Sequence, residues 1–141
     1  MKYKKVLGID IGGSGIKGAI VKTKSGKLTT KRFRLETPDP ATPEAVVRVI
    51  SEITAHFKWK GAIGIGFPGV VQNGVVQTAA NIDKQWIGKN IQELVSGECG
   101  CSVYAFNDAD AAGFAEMKFG AGKKHKGVTL LITVGTGLGT V

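Results

Sequence analysis

Two glycine-rich stretches, each placed directly after an apolar run, constrain this chain more than any other feature. The first is Asp10-Ile11-Gly12-Gly13-Ser14-Gly15-Ile16-Lys17-Gly18, which follows Val6-Leu7-Gly8-Ile9. The second is Thr133-Val134-Gly135-Thr136-Gly137-Leu138-Gly139-Thr140, which follows the run opening at Val128. Glycine accepts close backbone approaches that other residues cannot, and inside a strand it weakens pairing. Glycine clusters behind strands therefore read as sharp turns whose N–H groups point into the bend, and such a concave set of amides binds phosphate. Glycine is also the compositional outlier, 21 residues of 141, and it lacks the period that a collagen helix demands.

The first stretch carries the formal spacing of a dinucleotide fingerprint, Gly13-x-Gly15-x-x-Gly18, with Glu36 suitably placed for a ribose contact. That fingerprint requires a helix opening at its glycines. Here Ala19-Ile20-Val21 favours a strand and Lys24-Ser25-Gly26-Lys27 a turn, so strand–turn–strand is the better reading. In that setting Asp10 is placed to hold Mg2+ through water, and Ser14 or Lys17 to meet phosphate oxygens. A plain hairpin, with glycines serving only the turn, is the alternative.

Patterning predicts strands over Val6–Ile11, Ile16–Val21 and Leu28–Leu35. A helix then follows, capped by Thr42, with Pro43 and Glu44 in its first turn and Val46, Val49, Ile50, Ile53 and Phe57 on one face. Ala62–Gly66 is the next strand, and Asn73-Gly74 between Val70 and Gln77 signals a hairpin with a type I′ turn. A short helix over Asn90–Val95, a strand over Val103–Phe106, a helix over Ala109–Phe119 and a last strand over Val128–Val134 complete the expectation. At Asn107-Asp108 a strand gives way to a helix, a place from which a carboxylate can enter a cleft and take a proton from a hydroxyl. The alternative is that Asp108 only caps the helix. Asp110 is expected to face elsewhere.

The formal net charge of +8 makes an anionic partner plausible, whether phosphate, polyphosphate or nucleic acid. Three Arg among nineteen basic residues make nucleic acid the weakest of these, because base edges are read mainly by Arg. The loop Lys123-Lys124-His125-Lys126 is either a guide for a polyanion or a solvated connection, and the latter is preferred. No apolar run approaches the roughly 20 residues of a membrane-spanning helix. Cys99 and Cys101 are too close for an ordinary disulfide and supply only half a zinc site, so a reducing cytoplasm is the expected setting.

Four motifs together resemble the ROK family of sugar kinases in the actin/hexokinase ATPase superfamily. They are Asp10-x-Gly12-Gly13-Ser14-x-x-Lys17, Phe67-Pro68-Gly69-Val70, Asn107-Asp108-Ala109-x-Ala111-Ala112 and Gly135-Thr136-Gly137-Leu138-Gly139. Within the family, Thr78-Ala79-Ala80-Asn81-Ile82-Asp83 followed by Trp86 is most similar to the polyphosphate glucokinases. The resemblance implies an α/β ribonuclease-H-like lobe over residues 1–122, with a mixed sheet of order 3-2-1-4-5, and the start of a second lobe over 123–141. It implies phosphate sites at Gly12, Gly13, Ser14 and Lys17 and at Gly135, Thr136, Gly137 and Gly139, with Mg2+ near Asp10. It makes Asp108 the catalytic base and places Gly69, Asn81, Asn107 and Asp108 at the sugar. Glucose as acceptor, ATP or inorganic polyphosphate as donor, and a homodimer at full length follow from the same resemblance.

The family's sugar-holding Glu and His, any zinc site and the nucleotide-base pocket are expected beyond residue 141, so the chain alone is expected to be inactive. Other hexoses (mannose, an N-acetylated hexosamine), a sugar-sensing regulator and a non-catalytic scaffold stay open as alternatives. With five residues ahead of the first strand there is no room for a helix-turn-helix, and no DNA partner is expected.

Overall fold

The computed structural model describes residues 2–134 and 138–140. The apolar run at the N-terminus forms β1 (Lys5–Ile11), which pairs antiparallel with β2 (Gly15–Lys22). β3 (Phe33–Glu36) adds antiparallel to β2 at the sheet edge. After helix α1 (Pro43–His56) the chain returns as β4 (Ile63–Phe67), parallel to β1. A small hairpin follows, β5 (Val71–Gln72) and β6 (Val75–Val76), then helix α2 (Ile91–Cys99) and β7 (Val103–Asn107), parallel to β4. Helix α3 spans Asp108–Phe119, and β8 (Ile132–Val134) pairs antiparallel with β9 (Leu138–Thr140). The main sheet has the order β3-β2-β1-β4-β7, which is the expected 3-2-1-4-5 once the hairpin is set aside.

Local chemistry explains most boundaries. Thr42 caps α1 by accepting from the Ala45 N–H, and Pro43 opens its first turn. Asn73 and Gly74 take the positive φ angles of the predicted hairpin turn, 50° and 82°. Asn90 caps α2, and Gly100 ends it in the left-handed region at φ 64°.

Alternation along β1 and β4 sends Leu7, Ile9, Ile11, Ile63, Ile65 and Phe67 to one face, where Val46, Ile50, Ile53, Ile91 and Val95 of α1 and α2 cover them. Gly18 is part of this packing, because a Cβ there would strike the Ile53 side chain. Trp86, wholly buried in a short 3-10 turn, meets Phe67 edge-on at 5.2 Å and donates from Nε1 to the Ala41 carbonyl at 3.1 Å. The remaining polar handle of the indole is thus satisfied inside the core.

Two predicted strands are shorter than their patterns suggest. Over Leu28–Leu35 only Phe33 to Leu35 is strand; Leu28 makes one isolated bridge to Val21. The reason is local: Thr30 Oγ1 accepts from the Ile20 N–H, while the Thr29 N–H and hydroxyl both donate to the Ile20 carbonyl. Hydroxyls there replace the ladder that a strand would make. Over Val128–Val134 only Ile132–Val134 is paired, and Val128 and Leu130 are exposed. Hydrophobicity gave that run its pattern, but a strand also needs a partner for its backbone groups. Gly139, expected in a sharp turn, lies in β9 opposite Thr133. Gly135, Thr136 and Gly137 lie outside the described residues.

Among the described residues no helix is long and apolar enough to cross a membrane. Cys99 and Cys101 are both free thiols, and burial pushes the pKa of each above the ordinary thiol range.

Replacing Trp86 by Ala should cost about 3–5 kcal/mol in urea unfolding, and by Phe clearly less. Iodoacetamide at pH 8 should label the folded thiols about tenfold more slowly than the unfolded ones, the rate rising as pH climbs past the ordinary thiol pKa.

Candidate functional site

One row of register partners crosses the whole sheet. Arg34 on β3 lies opposite Lys17 on β2, Lys17 opposite Asp10 on β1, Asp10 opposite Gly66 on β4, and Gly66 opposite Phe106 on β7. Directly paired residues point to the same face, here the face away from α1. The row therefore presents a guanidinium, an ammonium and a carboxylate in sequence, all three exposed.

Gly66 is the hinge of this arrangement. A Cβ built on it would stand 3.6 Å from both Cα and Cβ of Asp108 and 3.8 Å from Asp10 Oδ1. The missing side chain leaves open the space between Asp10 and Asp108, two acids from different elements that line the same groove. Asp10, Lys17, Gly66, Phe106 and Asp108 line an open groove of about 640 Å³ between the sheet and α3. No sequence pattern marked Gly66, because its importance follows only from pairing with Asp10.

Asp108 is held there by its neighbours. The helix cap is Asn107, whose Oδ1 accepts from the Asp110 N–H at 3.1 Å. The Asn107 amide also donates to the Gly69 carbonyl at 2.9 Å, tying the end of β7 to the loop after β4. Among the described residues Asp108 bonds only to the next backbone N–H, that of Ala109, at 2.8 Å, and it is exposed. Capping is thus done by a different residue, and the carboxylate stays at the mouth of the groove. Gly69 has a packing reason of its own, since a Cβ would collide with the Thr78 carbonyl.

The first glycine turn is braced from β3 and the loop behind it. The Gly12 N–H donates to the Gly15 carbonyl at 3.1 Å, and the Thr37 hydroxyl donates to the Gly12 carbonyl at 2.6 Å. Arg34 donates from Nη2 to the Ser14 carbonyl, its guanidinium lying where a Gly15 side chain would stand. None of Gly12, Gly13 and Gly15 has a positive φ. At Gly12 the Gly15 carbonyl leaves no room for a side chain, and at Gly15 the Arg34 guanidinium fills that space; neither backbone is left-handed.

Asn81 lines a second cavity of about 370 Å³, together with Gly12, Gly13, Thr37, Asp39 and Asp83. The predicted residues therefore fall into two adjoining sets. Asp10, Lys17 and Asp108 share the groove, while Gly12, Gly13 and Asn81 share the cavity on the other side of the turn. Thr37 and Asp39 were not among the site residues expected from the sequence, and Asp83 entered only as part of the Thr78–Asp83 stretch. The basic loop Lys123–Lys126 follows the far end of α3, about 18 Å along the helix axis from Asp108.

Asp10 and Asp108, which line one groove beside the Gly12–Gly15 turn, offer hard carboxylate oxygens, and this fits Mg2+, which takes one or two carboxylates and completes its shell with water and phosphate. Removing the Asn107 side chain should cost about 1–2 kcal/mol by denaturant unfolding. Asn107→Ser, which keeps a capping oxygen and loses the tether to Gly69, should cost about half as much.

The ROK family profile matches residues 6–141. The chain is 52% identical over 134 residues to the polyphosphate glucokinase of Mycobacterium tuberculosis (strain ATCC 25177 / H37Ra), covering 94% of this chain and 51% of that protein. The inorganic polyphosphate/ATP-glucomannokinase of Arthrobacter sp. strain KM superposes with a TM-score of 0.92 at 46% identity, over 98% of this chain and 57% of the other. A ROK family glucokinase from Streptomyces griseus, in complex with glucose and AMPPNP, superposes with a TM-score of 0.83 at 36% identity, over 96% and 43%. The chain spans about half the length of the relatives it matches. With its sheet order, its two groove carboxylates and a family match over all but the first five residues, the chain belongs to the ROK family and has the fold of the ROK sugar kinases.

Proposed function

We propose that this chain supplies the base-bearing half of a sugar kinase that moves a phosphoryl group from inorganic polyphosphate or ATP to the 6-hydroxyl of glucose. The observation that carries the reading is the placement of Asp10 and Asp108 about Gly66 in one groove, beside the braced turn Gly12–Gly15. A sugar hydroxyl is a weak nucleophile, and Asp108 at the groove mouth takes its proton as the new O–P bond forms and the donor's bridging P–O bond breaks. Asp10 would hold Mg2+, which when bound neutralises charge on the donor phosphates. Gly12, Gly13, Ser14 and Lys17 receive the donor, and Gly135, Thr136, Gly137 and Gly139 form its second cradle. Gly69, Asn81 and Asn107 border the sugar.

In this reading residues 1–122 are one lobe, 123–141 open the second, and the two close on substrate in the cytoplasm as part of a homodimer. Polyphosphate as donor is supported by the Mycobacterium tuberculosis and Arthrobacter relatives, and glucose by all three relatives. The Arthrobacter relative is a glucomannokinase, which favours mannose as a second acceptor.

The test is hexose 6-phosphate formation by the protein at its natural length, with polyphosphate and ATP as competing donors. Asp108→Asn should lower kcat by about 10²- to 10⁴-fold with little change in sugar KM. No turnover of glucose, mannose or an amino sugar with either donor would overturn the kinase reading.

A further inference from the structure

Arg34 is one of the charged side chains by which an edge strand is guarded against pairing with other chains, and its own contacts go beyond that role. It turns along the sheet face toward the glycine turn. Its guanidinium lies over Gly15, in the space a side chain there would take, and donates to the Ser14 carbonyl. A single backbone carbonyl uses little of a group with five N–H donors in a fixed fork.

The charges around it are arranged in a line. Lys17 is its direct partner on β2, and Arg32, in the segment just ahead of β3, lines the groove with Lys17, Asp10 and Asp108. Arg34 at the turn, Lys17 beside it and Arg32 in the groove make a run of cations leading away from the turn. Two of the chain's three arginines stand here, while Arg48 is on α1. The acids near this line are Asp10 beside Lys17, Glu36 opposite Gly15 and Asp108 in the same groove, and among the described residues none is in a salt bridge with these cations. Arg is the side chain suited to phosphate, because its planar fork meets two oxygens at once.

We propose that Arg34 is a phosphate ligand of the first glycine turn, gripping a non-transferred phosphate of the donor, with Lys17 and Arg32 continuing the cationic line for a polyphosphate chain. The proposal rests on the kinase reading for the identity of the ligand as a phosphoryl donor. The chemistry recognised, a chain of phosphate units, is common to inorganic polyphosphate and to a nucleoside triphosphate. Arg34 sits next to the turn and serves both; Arg32, one station further, serves the longer chain.

The experiment is equilibrium binding of inorganic polyphosphate of defined length and of ATP to the protein at its natural length, without sugar, over a series of salt concentrations. Arg34→Gln should weaken polyphosphate binding about 10- to 100-fold, the loss of one charge-assisted contact. It should also reduce the slope of log affinity against log salt by about one, as for a cation removed from a linear polyanion's site. Arg34→Lys should recover part of the affinity and all of the salt slope. Arg32→Gln should weaken polyphosphate and spare ATP, and Arg48→Gln should leave both unchanged.

An Arg34→Gln protein that keeps its melting temperature and binds both donors with unchanged affinity and salt slope would reduce Arg34 to a brace on the turn and overturn the proposal. Equal weakening with an unchanged salt slope would overturn it too, because that pattern belongs to a displaced turn. The kinase reading fails separately: binding that depends on Arg34 in a protein that phosphorylates no sugar would keep this site and discard that reaction.

Discussion

Everything at the site depends on the pairing of Asp10 with Gly66 across two parallel strands. β1 and β4 are fixed in register by Leu7 opposite Ile63 and Ile9 opposite Ile65, four large side chains buried against α1 and α2. A slip of one residue would turn those side chains toward α3 and the glycines toward the core, so the register is strongly specified. Once it is set, Asp10 has a residue without a side chain beside it, and α3 can start close enough for Asp108 to reach the same space. The core on one face thereby determines the spacing of acids on the other.

The two faces of the sheet do different work. One is lined by Ile, Val and Phe and closed by two amphipathic helices; burial of each such side chain contributes about 1.5–3 kcal/mol. The other carries Gly8, Gly64, Gly66 and Ala19 under the alanines of α3, and small residues facing small residues leave a groove rather than a sealed interface. Stability and access are thus assigned to opposite sides of one layer. The turn at Gly12–Gly15 lies where those sides meet, braced by Thr37 and Arg34 from the strand and loop behind it.

Asn107 shows how a polar residue can be structural and still belong to the site. Its side chain makes two bonds at once, a cap to Asp110 and a tether to Gly69, and both act on the backbone that presents Asp108. The carboxylate needs no cap of its own to make, and so its position is set by the residue before it. The helix cap is therefore made by Asn107, and capping does not account for Asp108.

The sequence alone determined the elements and their order, because hydrophobic period, turn residues and caps are local properties. Thr42, Asn73-Gly74 and Asn90 behave as their chemistry predicts, and the motifs with the match over residues 6–141 place the chain in its family. Local pattern overreached where pairing mattered, at residues 28–32 and 128–131, since a strand exists only with a partner for its backbone. Tertiary structure decided the rest: that Gly66 stands between Asp10 and Asp108, that Arg34 lies over Gly15, and that Asn81 faces the turn from a separate cavity. Those facts concern residues 19 to 98 positions apart, brought together by sheet register, and nothing in the neighbourhood of any one of them encodes which residue it will meet.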